Sequence, residues 1–470
     1  MKLLQEIIEL SEYQPKEGNL LELYELAKEG VTRELAEEKL KKKSSNFRNT
    51  YKVLKDRLLD GLLEHKSRHF SYLQKAHFQL LDKYVKARIL LALGKNRSGI
   101  IIAEEVVRQA EKLELFLMVF EISLMLENKF AISGHVKFNK YREKLDRVTF
   151  LLEAETKAKR IENRLNFCMT KSRPVDWIYE EIKTLEAIFP TNEQFNFRLQ
   201  YYSIKNNIYF IENNTDGLEA NCAEALAFFD AYPTPIPYVT KFIFLTKVIP
   251  AYVVNKEYER ASTNLEKCIA LTQHVAGGWN WNIAQLYKAT IALYNNDPAL
   301  ALQVYLEVQS ARKRFDNSYI EARWKLIHAY LNLYEQIGKI SGVPPFRLYR
   351  LLNEVSPLTG DNTKPNIFIL ELLHLLAQEK HRRYLDRTDG IEQYLSRNAK
   401  VKHHTRLRFF MRMLRSISLG AFHSVRVKAH AKKNKARLLK TPYHTNTDML
   451  DTEVIPYEII WELALALLKK

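Results

Sequence analysis

The sequence predicts an all-α protein in which antiparallel helical hairpins stack into a curved array and a basic helical module follows. Three observations predict it. Gly and Pro number 14 each in 470 residues, roughly 3% apiece against average usage of about 7% and 5%, so tight turns are scarce and long helices are favoured. Hydrophobic residues make up 46% of the chain, enough for a large core, and recur at helical spacing between short polar breaks. Positive charge is concentrated: residues 380–440 hold eighteen Lys and Arg against Asp386, Asp389 and Glu392, a net of +15 out of +17 for the whole chain.

Leu3, Leu4, Ile7, Ile8 and Leu10 give the first helical face, and residues 15–19 close it before a second helix at 20–29. Residues 1–38 carry ten Glu against four Lys or Arg, an electrostatic complement to the basic C-terminal stretch, in cis or in trans. Glu6, Glu9 and Glu12 break the apolar run at the N-terminus, which therefore does not read as a signal peptide. Segment 32–64 predicts two helices. Thr32 caps the first, with Leu35, Ala36 and Leu40 inward, and Phe47, Tyr51, Leu54, Leu58, Leu59 and Leu62 form the core face of the second. Arg48, Lys52, Lys55 and Arg57 point outward, as in a DNA-reading helix, although basic outer faces are common on helical hairpins of any all-α protein.

From Tyr72 onward helices alternate with short breaks. GKNRSG at 94–99 places Lys95 after the first glycine, unlike a phosphate-binding P-loop, and lies between helices; it reads as an interhelical turn. Pro233, Pro235 and Pro237 make 230–238 a stiff connector. The clearest hairpins are 248–271 and 286–308. There the chain resembles tetratricopeptide repeats: Tyr252, Tyr258, Ala261 and Leu265 in the first unit, and Ala289, Ala301 and Tyr305 in the second, set small residues at the helix crossing and large ones in the next groove. Ala261 and Ala301 are 40 residues apart rather than the 34 of that family, and the proline that usually closes each repeat is missing. The resemblance covers about 60 residues and implies stacked hairpins, since one amphipathic hairpin cannot bury its own face. Gly277, Gly278, Trp279 and Trp281 form a turn packed between successive hairpins.

Breaks at 341–345 and 357–365 precede the C-terminal module. In segment 403–418, Leu407, Phe410, Met411, Leu414 and Ile417 form one face, and Arg408, Arg412 and Arg415 another. Segment 424–439 has only Val427, Ala431 and Leu438 as an apolar seam, amid Arg426, Lys428, Lys432, Lys433, Lys435 and Arg437. Its like-charged pairs four residues apart, such as Lys433 and Arg437, each cost an isolated helix about 0.2–0.5 kcal/mol, a cost that an acidic partner removes. Phe409, Phe422 and Tyr443 lie nearby as possible stacking platforms. Ile460, Trp461, Leu463, Leu465 and Leu467 predict a docked final helix. The expected organisation is an N-terminal acidic segment with a hairpin (1–68), a hairpin array (69–232), tetratricopeptide-like repeats (233–340) and the basic module (341–470).

No protease, hydrolase or dinucleotide motif is present, and the adjacent His403 and His404 point about 100° apart on a helix, which argues against one shared metal ion. Cys168, Cys222 and Cys268 are odd in number and widely spaced, as buried thiols in a reducing compartment would be. Apolar runs at 113–126 and 367–376 are too short or too charged to span a bilayer. The expectation is a cytoplasmic, non-enzymatic scaffold without a cofactor, binding a protein or peptide in a groove near Tyr252, Asn255, Lys256, Gln285, Lys288 and Asn295. The alternative is a nucleic-acid-associated regulator whose Arg408, Arg412, Lys432, Lys433, Lys435 and Arg437 touch phosphates.

Overall fold

The computed structural model describes all residues except 10, 12, 41–43, 65–71, 172, 235, 276, 312–317, 346, 349–363, 399–404, 442–452 and 469–470. His403, His404, Tyr443 and most of the 357–365 break lie outside the described residues. Among those that are described, the regular structure is helical throughout and no helix is long and apolar enough to cross a membrane. The chain forms two compact units, Met1–Val106 and Val107–Lys470.

The first unit contains α1 (Lys2–Ile8), α2 (Gly18–Lys28), α3 (Arg33–Lys39), α4 (Ser44–Glu64), α5 (Tyr72–Ala92) and most of α6 (Asn96–Lys112). Leu4, Leu23, Ala36, Phe47, Leu54 and Leu58 form a small core in which α1, α2 and α4 pack together. Thr32 caps α3 as expected, its hydroxyl accepting from the Leu35 backbone N–H at 3.4 Å. Leu35 itself is 43% exposed and Leu59 41%, so the buried face is narrower than the sequence pattern suggests. Thr32→Ala is expected to lower the stability of this unit by about 1 kcal/mol, because it orphans a helix N-terminal donor. Leu35→Ala, at an exposed site, should stay within about 0.5 kcal/mol. Urea titration of the two variants followed by far-UV circular dichroism checks the contrast.

Gly94 adopts φ +74° in the turn between α5 and α6, which is shorter than the 94–99 expected from sequence, because residues 96–99 already form the first turn of α6. Gly99 follows from close packing: a Cβ there would stand 2.6 Å from Leu91 Cγ.

The second unit continues with α7 (Phe116–Ser133), α8 (Lys137–Thr170), α9 (Ile178–Ile188), α10 (Phe195–Ile211), α11 (Thr215–Ala231), α12 (Tyr238–Val254), α13 (Tyr258–Thr272), α14 (Trp279–Tyr294), α15 (Pro298–Ala311), α16 (Ser318–Gln336), α17 (Lys364–Ala377), α18 (His381–Asn398), α19 (Thr405–Leu419), α20 (Ser424–Lys440) and α21 (Tyr457–Leu467). Consecutive partners α7/α8, α10/α11, α12/α13, α14/α15, α17/α18 and α19/α20 pack on each other. The turns share one geometry. A left-handed residue ends the leading helix at Asn213, Lys256, Asn296, Gly338, Glu379 and Ala421, at intervals of 40 to 43 residues. The next backbone N–H then reaches back into the last helical turn, as Asn214 does to Tyr209 O, Glu257 to Tyr252 O and Asp297 to Ala292 O, satisfying carbonyls that the helix end would orphan.

Side chains also meet across helices at that interval. Asn196 donates to Glu155 (2.9 Å), Asn207 to Asn166 (3.2 Å), Lys247 to Asn207 (3.5 Å) and Asn255 to Thr215 (3.1 Å), and Arg260 pairs with Glu219; each partner is 40 or 41 residues away. Equivalent helices therefore touch across that interval, α8 to α10 and α10 to α12, while α11 touches α13. One hydrophobic cluster runs from Ala154 to Tyr294 and a second from Trp281 to Leu467, the latter enclosing Trp324, Tyr330, Tyr334 and Trp461. Trp281 is buried as the sequence predicts, whereas Trp279 remains 45% exposed at the start of α14.

Candidate functional site

Two surfaces of the second unit collect polar groups. The first is the row Asn166, Asn207 and Lys247 on α8, α10 and α12. The α12 sequence is apolar around one lysine, and Pro250, inside the helix, cannot donate to the Thr246 carbonyl four residues earlier. The Thr246 hydroxyl turns inward to the carbonyls of Phe242 and Ile243. Lys247 is half-buried in a cleft of about 100 Å³ lined by Asn207, Phe210, Leu218, Thr246, Pro250 and Tyr287. Its ammonium reaches only the amide oxygen of Asn207, at 3.5 Å, and no carboxylate stands within 4.0 Å of it among the described residues. Burial lowers its pKa from the ordinary lysine value, opposed by Cys222 and Glu162. An anionic oxygen placed in this cleft would restore the charge compensation that burial removes.

A wider groove of about 920 Å³ lies along another face of α8, beside Glu153, Lys157, Arg160, Arg164, Trp177 and Glu181. Arg164 covers the Trp177 ring at 3.8 Å. Its charges are mixed in sign.

The groove residues named from sequence do not converge. Lys288 is half-buried on α14, 41 residues beyond Lys247, next to the Tyr287 that lines the cleft. Asn255, Lys256 and Asn295 are exposed in the interhelical turns, where they serve the turn geometry. Tyr252 is 1% exposed, covered by Arg260 at 4.6 Å from its ring centre, and burial with Glu219 pushes its phenol up to about 12. Gln285 is equally enclosed. Both pack between helices rather than facing an open groove. Asn166, Asn207 and Lys247 escaped notice because each reads alone as an ordinary helical polar residue; the 40-residue interval between them was the available signal.

The second surface is the α19/α20 hairpin. On α19 the core face is as expected, with Leu407, Phe410, Met411, Leu414 and Ile417 buried and Arg408, Arg412 and Arg415 exposed. On α20, Val427, Ala431 and Leu438 are the buried residues. Burying them contributes on the order of 5 kcal/mol, less than the ordering of 17 backbone residues costs at about 1–2 kcal/mol each. Two further contacts hold the helix. Arg406, on the core side of α19, donates from Nη1 to the carbonyls of Leu438 (3.0 Å) and Thr441 (2.8 Å), capping the α20 C-terminus with positive charge. Lys435 pairs with Glu462 of α21 at 2.8 Å. An internal acid thus takes one of the residues expected to touch phosphates.

The remaining cations divide by helical period into two flanks of the Val427/Ala431/Leu438 seam. Arg426, Lys433, Arg437 and Lys440 recur at steps of seven, four and three on one flank, while Lys428 and Lys432 lie on the other, beside the paired Lys435. Arg437 lies 5.9 Å from the centre of the half-buried Phe409 ring, which places its flank beside α19. None of Arg412, Arg426, Lys428, Lys432, Lys433, Arg437 or Lys440 has a carboxylate within 4.0 Å among the described residues. Phe422 is not free to stack on a base, because His381 lies parallel to it at 3.9 Å.

The thiols of Cys168, Cys222 and Cys268 are free and buried, and burial pushes Cys222 and Cys268 up to about 12, where a thiolate nucleophile is not available at neutral pH. Among the described residues no group of three or more His, Cys, Asp and Glu is placed to hold a metal ion. Compared with protein-family models, curated proteins and solved structures, the chain matches none.

Proposed function

We propose that the chain is a non-enzymatic scaffold, a curved array of stacked hairpins akin to tetratricopeptide repeats, that binds a protein or peptide along its leading helices. The observation that carries this reading is the row Asn166–Asn207–Lys247, whose members come from α8, α10 and α12 one structural interval apart and whose ammonium has no carboxylate within 4.0 Å among the described residues. Stacking hairpins at a fixed interval brings equivalent helix faces into register, and polar side chains repeated at that interval offer a peptide one hydrogen-bonding group per hairpin. An acidic residue of that peptide seats at Lys247, and amides such as Asn166 meet its backbone. The exposed turns at Asn255, Lys256 and Asn295 lie at the ends of these helices and do not take part.

Selection of a displayed random-peptide library on the full chain tests this. Enrichment of sequences sharing an Asp or Glu is expected, and Lys247→Met should weaken the enriched peptides at least tenfold, about 1.4 kcal/mol. Lys256→Met, in the exposed turn, should leave them unchanged. Failure of the library to enrich any sequence, or equal affinity for the Lys247 variant, would remove the reading.

A further inference from the structure

We infer that the α19/α20 hairpin carries a second site, a strip that binds the phosphodiester backbone of nucleic acid through Arg412, Arg426, Lys433, Arg437 and Lys440. The inference goes beyond peptide binding on the leading helices and involves none of their residues.

The strip is built from three geometric facts. Arg426, Lys433, Arg437 and Lys440 share one flank of α20, a helix of 17 residues and so about 25 Å long. At 3.4 Å per nucleotide, one strand of a duplex places about seven phosphates over that length. The hairpin is antiparallel with a defined register: the Arg406 guanidinium meets Leu438 at one end, and at the other the Gly420 backbone lies so close to Val427 that a Cβ would fall 2.7 Å from its N. Arg412 consequently lies level with the middle of α20, and the Arg437–Phe409 contact sets the Arg437 flank of α20 beside α19. The cations of both helices form one surface.

Charge chemistry selects the partner. Each of the five cations lacks a carboxylate within 4.0 Å among the described residues. A protein interface needs an apolar anchor at its centre, and a bilayer surface needs a broad exposed apolar face. The exposed aliphatics of α20, Val425 and Leu439, lie on the opposite flank with Lys428 and Lys432, and the exposed α19 stripe has Leu419 only at its last turn. The strip is cationic along its length, with no exposed aromatic on α19 or α20 among the described residues, so the expected recognition is of phosphates and not of sequence.

The test is fluorescence anisotropy of the full chain with labelled 20-mers, single-stranded and duplex, from about 50 to 300 mM salt. Binding is expected with log affinity falling linearly against log salt, by about 0.9 per phosphate contact on duplex DNA and about 0.7 on single strands, hence for five contacts an overall slope of about −4.5 on duplex and about −3.5 on single strands. The variant Arg412→Gln/Lys433→Gln/Arg437→Gln/Lys440→Gln, checked for unchanged helicity, should lose at least tenfold in affinity at 50 mM salt and flatten the slope by about three. Lys428→Gln/Lys432→Gln, on the other flank, should change the slope by less than one. No binding at 50 mM salt overturns the inference. So does equal loss in both variants, which would mean a diffuse field. Binding confined to anionic vesicles or to poly-glutamate would overturn it too and reassign the strip to lipid or acidic protein.

Discussion

Arg406→Met is expected to lower the unfolding free energy of the second unit by about 3–5 kcal/mol, the loss typical of breaking a buried ion pair from one side. All five guanidinium N–H groups are engaged. Nε and Nη2 grip the two oxygens of Glu453 at 3.0 Å each, Nη2 also donates to Glu458 at 2.7 Å, and Nη1 supplies the two bonds that cap α20. Glu453 in turn accepts from the Tyr457 backbone N–H at 2.8 Å and so fixes the start of α21. One side chain therefore ties together α19, the end of α20 and the start of α21. Methionine fills the volume but leaves the Glu453 carboxylate, 7% exposed, without its countercharge and takes the guanidinium bonds from the Leu438 and Thr441 carbonyls, of which Leu438 keeps only the Thr441 backbone N–H. The buried Trp461 in α21 makes tryptophan fluorescence in urea a suitable readout. Arg406→Met/Glu453→Leu, which removes both charges, should recover more than half of the loss. A single-variant loss below about 1 kcal/mol would mean that the cluster does not hold α20 in place.

That cluster also marks the limit of what the sequence discloses. The apolar seams were legible residue by residue, because helical period alone sets Leu407, Phe410, Met411, Leu414 and Ile417 on one side of α19 and Val427, Ala431 and Leu438 on one side of α20. Arg406 was not, since an arginine inside a basic run reads as solvated until its acids, 47 and 52 residues away, are brought to it. Its position was the clue: it precedes Phe410, Met413 and Ile417 at steps of four and three, on the core side. The shortage of apolar surface on α20 was visible from sequence and pointed to a missing partner. Part of that partner is internal, through Arg406 and Glu462, and the Arg437 flank keeps most of the remaining charge.

The hairpin interval was partly hidden for a different reason. Residues at the left-handed turn position are Asn213, Lys256, Asn296, Gly338, Glu379 and Ala421, with no shared chemistry, because any side chain tolerates a single such residue at modest cost when the turn satisfies its carbonyls. Only 248–308 kept the small-residue signature that makes the period visible. At α8 the break between two helices is absent, and one 34-residue helix packs with α7 along one part and with α9 and α10 along another.

The second large effect is expected from pH. His374 lies in the apolar α17 at 3% exposure, with Nδ1 2.9 Å from the Leu370 carbonyl oxygen, and burial lowers its pKa from 6.5 to about 4. The folded state thus resists a proton that the unfolded chain accepts. Stability from this group is complete above pH 6.5, falls as pH drops through the interval from 6.5 to 4, and levels off below. Between pH 7 and pH 4.5 the loss should be about 2–3 kcal/mol. His328, whose Nε2 lies 2.9 Å from the Pro344 carbonyl oxygen, is also shifted downward by burial and adds in the same direction, so the wild-type loss alone does not isolate His374. His374→Leu keeps the site apolar and removes the titration. Urea unfolding at both pH values should show the variant losing about 2–3 kcal/mol less than the wild type on acidification, with similar stability of the two at pH 7. Parallel losses would mean that His374 takes up its proton in the folded state near the ordinary histidine value, and that the α17 core admits the charge.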